Sequence, residues 1–324
     1  MAGREAILKV ERLTKTFKIK SPRLFTPPGY LRAVNDVSFE VAEGETLGII
    51  GESGCGKSTL GKCLLRLTEP SSGEILYQGQ SLTDLKHAEM KALRKELNIV
   101  SQDPYSSLDP RKTAGYLIEE PMVIHGIGTG RERRERVNEL LSLVGLDYYH
   151  AIRYPHEFSG GQRQRLNIAR ALAMRLKLLV CDEPVSALDV SVQAQVINLL
   201  KELKNKLKLT YIFISHDLSV VKYISDRIAI MYLGRIVEIG NSADIYARPL
   251  HPYTEALFSA IPPESPLEEK KKIRLTGEVP SPMNLPLGCA FSTRCPRCMS
   301  RCSGEIPALL DRGDDHQVAC FLYD

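Results

Sequence analysis

Thr46-Leu-Gly-Ile-Ile50 is a short apolar run that leads directly into Gly51-Glu-Ser-Gly-Cys-Gly56-Lys57-Ser58-Thr59. Just beyond, Leu60, Cys63, Leu64 and Leu67 recur at the spacing of one helix face. Strand, glycine-rich loop and helix in that order fit a phosphate-binding loop. Gly51, Gly54 and Gly56 let backbone N–H groups turn inward around phosphate oxygens, with Ser53 and Cys55 between them. The helix N-terminus adds the positive end of its dipole. Lys57 is placed to reach the β- and γ-phosphates, Ser58 to ligate Mg²⁺, and Thr59 to continue the helix start. The bland alternative is a glycine turn before an ordinary helix. The arrival of all three parts in sequence favours the phosphate loop.

Two further runs have the same shape. Leu178-Leu-Val-Cys181 ends in Asp182-Glu183, and Tyr211-Ile-Phe-Ile-Ser215 ends in His216. Apolar runs with helical patterns between them predict an α/β domain with a parallel sheet. Ligands of such sheets sit at the carboxyl ends of the strands, where all three polar endings fall. Asp182 is then a Mg²⁺ ligand and Glu183 the group that takes a proton from, or orients, an attacking water. Alone, this pair is equally well a polar strand end; Lys57 tips the reading towards a metal-nucleotide partner.

The remaining composition is that of a soluble globular chain. Of 324 residues, 43% are hydrophobic and 25% charged, and no apolar run approaches membrane-spanning length. The first residues lack the apolar core of a signal peptide, so a cytosolic location is expected. A net charge of +4 gives no argument for nucleic acid. Between about Gln102 and Arg175 the pattern is helical, with Val137, Leu140, Leu141 and Val144 on one face and a second helix from Ser159 to Met174. This predicts a helical subdomain inserted at about 102–175. Val192 to Lys208 is a further helix. Six prolines between Ile261 and Gly288, with the charge run Glu268 to Lys272 among them, mark a linker or extended arm.

Phe158-Ser-Gly-Gly-Gln162 bares two glycines at a helix start behind a hydroxyl, a second candidate anion cradle. An ordinary capped helix would look similar. Together with the phosphate loop, however, this stretch resembles the ATP-binding subunits of ABC transporters, over roughly Leu8 to Gly240. The resemblance implies that two such domains close face to face on ATP, with Ser159, Gly160, Gly161 and Gln162 serving the opposite site. It makes Gln102 the Q-loop glutamine and a Mg²⁺ contact, Ser186-Ala-Leu-Asp189 the D-loop, and His216 the switch histidine at the γ-phosphate. It puts Phe17 at the adenine-stacking position, with Tyr30 nearby as a rival and either residue equally able to be core. The usual Leu of the signature is Phe158 here.

Arg248-Pro-Leu-His-Pro-Tyr-Thr-Glu-Ala-Leu257, Gly277-Glu-Val-Pro-Ser-Pro282 and Gly288-Cys-Ala-Phe291 are similar to the C-terminal region of dipeptide and oligopeptide importer ATPases. Val185 also suits that group. The division implied is a nucleotide-binding domain over 1–245 and an importer extension over 246–324. The implied function is ATP hydrolysis powering peptide import, with nickel chelates or another solute as alternative cargo and a DNA-repair-type ABC ATPase as the distant rival. Implied partners are a related second ATPase subunit, two membrane permease subunits and an external substrate-binding protein, with no nucleic acid. The implied location is peripheral, on the cytoplasmic face of the cell membrane.

Five of the eight cysteines crowd the tail as Cys289-x5-Cys295-x2-Cys298-x3-Cys302-x17-Cys320. At this density a metal site is expected in a cytosolic chain, and spacing leaves zinc and an iron–sulfur cluster both open. The family resemblance implies a [4Fe–4S] cluster on Cys289, Cys295, Cys302 and Cys320, with Cys298 as an extra thiol. The tail is expected to lie apart from the ATP site, so that nucleotide binding survives changes in it. Cys55, near Lys57 and a helix start, is expected to be the most reactive of the three other cysteines.

Overall fold

The computed structural model describes residues 5–19, 28–261 and 272–324. Part of the proline-rich arm, with Pro262, Pro263, Pro266 and most of the charge run that follows, lies outside the described residues. The chain divides into two compact units, Met1–Asp84 with Ser215–Asp324, and Leu85–Ile214.

In the first unit, β1 (Ala6–Ile19) and β2 (Gly29–Ala42) form a long antiparallel pair. They are followed by β3 (Thr46–Ile50), helix α1 (Lys57–Leu64), β4 (Ser72–Tyr77) and β5 (Gln80–Ser81). β2, β1, β4 and β5 make one antiparallel sheet in that order. Leu8, Val10 and Leu13 of β1 face Val34, Val37 and Val41 of β2 in a core where each is at most 1% exposed. The alternation breaks at Arg12 and Asp36, both in left-handed backbone conformation, where the register shifts.

The second unit holds α2 (His87–Leu93), β6 (Leu97–Val100), α3 (Pro104–Ser107), α4 (Ala114–Ile124), α5 (Gly130–Leu143), α6 (Gly160–Ala171), β7 (Leu178–Asp182), α7 (Val190–Leu207) and β8 (Thr210–Ile214). β6, β7 and β8 are parallel neighbours, with Cys181 level with Val100 and Phe213. Every residue of β7 is buried, as expected of a parallel strand covered on both faces. Ion pairs tie the helices between β6 and β7 to one another: Arg133 to Glu119 at 2.8 Å and Arg170 to Glu120 at 3.1 Å. Arg170 also donates to the Ser107 carbonyl at 2.6 Å.

The chain then returns to the first unit as α8 (Leu218–Ile224), β9 (Arg227–Tyr232), β10 (Arg235–Asn241), α9 (Ser242–Ala247), α10 (Pro252–Phe258), β11 (Leu310–Asp311) and β12 (Gln317–Val318). β9 runs parallel to β3, whereas β10, β12 and β11 add on antiparallel. The sheets are therefore mixed, not simply parallel. The three strands read from apolar runs appear within one residue of expectation. β1 and β2 escape that reading because buried and more exposed residues alternate along much of their length.

Candidate active site

The phosphate loop is held by its neighbours in the first unit. Gly56 sits at the N-cap of α1 with φ 105°, and a Cβ there would lie 1.9 Å from the Ala33 carbonyl oxygen. Only glycine fits both the conformation and the approach. The Cys55 carbonyl accepts from Gly234 N–H at 2.9 Å, which ties the loop to the turn between β9 and β10. Lys57, 4% exposed, turns its ammonium into the loop and donates to the carbonyls of Gly51 at 2.8 Å and Glu52 at 3.0 Å. Gly54, also at positive φ, has nothing within 4 Å of its would-be Cβ, so the loop tip is open. A buried ammonium in a glycine-rich turn that opens a helix is suited to a polyphosphate.

Burial, not Lys57, governs Cys55. It is buried, 5% exposed, and burial pushes its thiol up, with Lys57 opposing only in part. Desolvation outweighs the cation and helix terminus that suggested a thiolate. Phe17 and Tyr30 both lie on the β1–β2 ladder, at 39% and 56% exposure, so neither is core. His216 is exposed just after β8, beside Ser215 and Asp217, which caps α8.

In the second unit, Asp182 ends β7 at 4% exposure. Glu183 follows in left-handed conformation, φ 48°, held there by its N–H donating to the Ile214 carbonyl at 2.9 Å. Strained backbone of this kind at a strand end is a mark of functional sites. Gln102, carried on the segment after β6, donates from Nε2 to Glu183 Oε2 at 2.9 Å. Ser186 Oγ donates to the Glu183 carbonyl at 3.1 Å, and Asp189 stands at the N-cap position of α7. The structure thus brings Gln102, Glu183 and Ser186 together around one strand end.

Ser159 and Gln162 form a reciprocal capping box on α6: Ser159 Oγ accepts from Gln162 N–H at 3.3 Å and Gln162 Oε1 accepts from Ser159 N–H at 3.0 Å. The two glycines also have a packing reason. A Cβ on Gly161 would meet Val192 Cγ1 at 2.4 Å, and one on Gly160 would meet Leu188 Cδ2 at 3.3 Å. Phe158 is core, 3% exposed, with its ring 5.5 Å from that of His150.

The iron–sulfur expectation is overturned, and the zinc alternative with it. Among the described residues no group of three or more His, Cys, Asp or Glu side chains is arranged to hold a metal ion. Cys289, Cys295, Cys302 and Cys320 line a shared void of only about 10 Å³, closed by His251, Phe291 and Phe321. That is about the room of one water, not of a cluster. Burial raises the Cys289 thiol to about 11 and pushes up Cys295 and Cys320 as well. These residues act as small apolar side chains in a local core. What fastens this region is ordinary packing and hydrogen bonding. Phe291, 1% exposed, packs its ring 5.3 Å from Tyr232 and 5.5 Å from Tyr253, and Cys289 N–H donates to the Cys302 carbonyl at 2.8 Å.

The tail is also not separate from the phosphate loop. Glu52 N–H donates to Tyr253 Oη at 3.0 Å, and the Glu52 carboxylate is paired with Arg294 at 3.0 Å. A second buried carboxylate, Glu238, accepts from the N–H groups of Leu250 and His251 at 2.7 and 3.0 Å and lies 2.7 Å from His316 Nε2. None of Glu52, Glu238, Arg294 or His316 stands out in the sequence, because each pairs with a partner far along the chain.

Comparison with known proteins agrees with these features. Residues 34–186 match the ABC transporter family model, and residues 237–302 match that of the oligopeptide/dipeptide transporter C-terminal region. The chain is 50% identical over 325 aligned residues to the oligopeptide transport ATP-binding protein AppF of Bacillus subtilis, covering 99% of each chain. The chain belongs to the ABC transporter family. The chain is also 53% identical to the putative oligopeptide transport ATP-binding protein YkfD of B. subtilis, over 90% of each chain. Among solved ABC structures, the ATP-binding cassette MJ0796, a dimer in a post-hydrolysis state bound to ADP and Pi, superposes with a TM-score of 0.65. It is 31% identical and covers 72% of this chain and 98% of its own. Among the described residues of this ABC family member, no helix is long and apolar enough to cross a membrane.

Proposed function

We infer that this chain is the ATP-hydrolysing subunit of an importer of dipeptides or oligopeptides. The observation that carries the reading is a similarity to oligopeptide transport ATP-binding proteins that runs the whole length of the chain, extension included. The site supports it chemically. Gly51, Ser53, Gly54, Cys55, Gly56, Lys57, Ser58 and Thr59 cradle the phosphates, and Phe17 stacks on adenine. The Ser58 hydroxyl, the Gln102 amide and the buried Asp182 carboxylate are hard oxygen donors of the kind Mg²⁺ takes. The ion would neutralise phosphate charge there. Glu183 orients the attacking water and receives its proton, while Gln102 holds the carboxylate. His216 touches the γ-phosphate.

Ser159, Gly160, Gly161 and Gln162 serve the nucleotide of a second, related ATPase subunit. The capping box leaves the Gly160 and Gly161 N–H groups at the positive end of α6, where an anion is favoured. Functionally we divide the chain into a nucleotide-binding domain over 1–245, with a helical subdomain over about 102–175, and an importer extension over 246–324. Transport needs two separate permease subunits and an external binding protein. The chain acts on the cytoplasmic face of the membrane.

Co-expressed with the permease subunits of a peptide importer, the chain should co-purify with the permease and release phosphate from ATP faster when peptide and binding protein are present. A chain that fails to bind the permease, or whose phosphate release is indifferent to peptide, would contradict the importer reading. Salt-dependent binding to DNA would point to a repair-type ATPase instead.

A further inference from the structure

We propose that Arg294 and Tyr253 are positioning residues for the phosphate loop, acting through Glu52, so that the C-terminal extension sets the affinity for MgATP. This rests on the ATPase reading above and adds to it a role for the extension. Glu52 is the second residue of the loop and all three of its polar groups are engaged. Its N–H donates to Tyr253 Oη at 3.0 Å. Its carbonyl accepts from Lys57 Nζ at 3.0 Å. Its two carboxylate oxygens both accept from one guanidinium nitrogen of Arg294, at 3.2 and 3.0 Å.

The anchors are built in. Tyr253 is fully buried, and the Arg294 side chain is 10% exposed. Arg294 also donates to Tyr232 Oη at 3.4 Å, on the strand beside the loop. Tyr232, Tyr253 and Phe291 pack against one another in tilted and edge-to-face contacts, with Tyr232 and Tyr253 ring centroids 4.7 Å apart. The two anchors come from different stretches of the extension, α10 and the segment between Cys289 and Cys295. Both converge on one loop residue.

Two physical consequences follow. Held at both its N–H and its side chain, Glu52 keeps the loop turned so that the remaining N–H groups face a phosphate, which lowers the ordering cost of binding. Arg294 also cancels a carboxylate that otherwise stands within the loop that must accept a polyanion. Freed of Arg294, that charge repels the β- and γ-phosphates. The harm from losing Arg294 is therefore mostly the charge left behind, as with any half-removed ion pair.

The test is a cycle of Arg294→Gln, Glu52→Gln and the double variant in the full-length chain, read by binding of a fluorescent ATP analogue with Mg²⁺ and by steady-state hydrolysis. Arg294→Gln should raise Kd and KM for ATP about tenfold with kcat little changed. The double variant should regain most of that affinity, which a purely structural role for Arg294 does not predict. Arg294→Lys, which keeps the charge, should stay within about threefold of the parent. Tyr253→Phe should weaken binding by a smaller factor, since one neutral hydrogen bond is lost. Arg301→Ala breaks exposed ion pairs to Glu305 and Asp324 elsewhere in the extension and should leave Kd unchanged. Unaltered Kd and KM in Arg294→Gln, or a double variant as weak as the single, would overturn the proposal while leaving the ATPase reading intact. Failure of the parent chain to bind MgATP would instead overturn both.

Discussion

Gln102 Nε2 donates to Glu183 Oε2 across 2.9 Å, although the two residues lie 81 positions apart in the chain. Glu183 is fixed from both ends. Its left-handed backbone is pinned by the hydrogen bond to Ile214, and its carboxylate is aimed by Gln102. As the proposed base, a carboxylate held this way does not need to reorganise when water attacks. Glu183→Gln keeps shape and the amide contact but removes the proton acceptor. Phosphate release should fall by about 10²- to 10⁴-fold with ATP still bound. Gln102→Ala should lower kcat by a smaller factor, because it loosens the base without deleting it. Equal rates for Glu183→Gln and the parent would remove Glu183 from the chemistry.

Gly56 is the tightest point of the phosphate loop. Alanine there would combine a φ of 105° with a Cβ placed 1.9 Å from the Ala33 carbonyl oxygen. The loop must move, and with it the N–H groups that face phosphate. Gly56→Ala should therefore abolish detectable ATP binding and cost more than about 1 kcal/mol in stability. Gly54→Ala is the informative partner, since nothing lies within 4 Å of its Cβ. It should strain the turn but retain measurable binding. Calorimetric titration with MgATP separates the two.

The parts legible in the sequence are those whose chemistry is local. A phosphate loop needs its glycines, Lys57 and Ser58 in one contiguous stretch, and the strands around it are continuous apolar runs. The β1–β2 pair was harder to see. Lys9 and Glu11 alternate with buried Leu8 and Val10, and the bulges at Arg12 and Asp36 break the period. The Arg294–Glu52 pair spans 242 positions and leaves no one-dimensional trace. The tail cysteines misled for a different reason. Their density suggests ligands, yet a thiol is also a small hydrophobe, and Cys302 at 7% exposure is used as one.

Thiol labelling should report that packing directly. Cys298 is the one exposed cysteine and should react first with iodoacetamide. Cys55, Cys63 and Cys181 are buried, and burial raises the thiols of all three, Cys63 to about 11. They should react only on unfolding. Mass spectrometry after brief labelling at neutral pH gives the order. Rapid labelling of Cys55 in the folded chain would mean that the loop opens more than its hydrogen bonds indicate.

Glu238 and His251 together fasten the extension to β10, and their chemistry makes that attachment pH-dependent. Glu238 is fully buried and engages Leu250 N–H, His251 N–H and His316. Removing its carboxylate strands those partners, so Glu238→Ala should cost roughly 3–5 kcal/mol. His251 is 1% exposed, and its Nδ1 accepts from Tyr253 N–H at 3.1 Å to cap α10. Burial lowers its pKa from 6.5 to about 4, against the opposing pull of Glu238. Between those two values the unfolded chain takes up a proton that the folded chain refuses. The stability due to the neutral ring is thus complete above pH 6.5 and declines as pH falls towards 4, by up to about 3 kcal/mol. His251→Asn keeps a side-chain acceptor for the cap and removes the titration. Denaturant unfolding from pH 7.5 to 4.5 should give a shallower loss of stability for His251→Asn than for the parent. Parallel curves for the two chains would show that His251 does not carry this dependence.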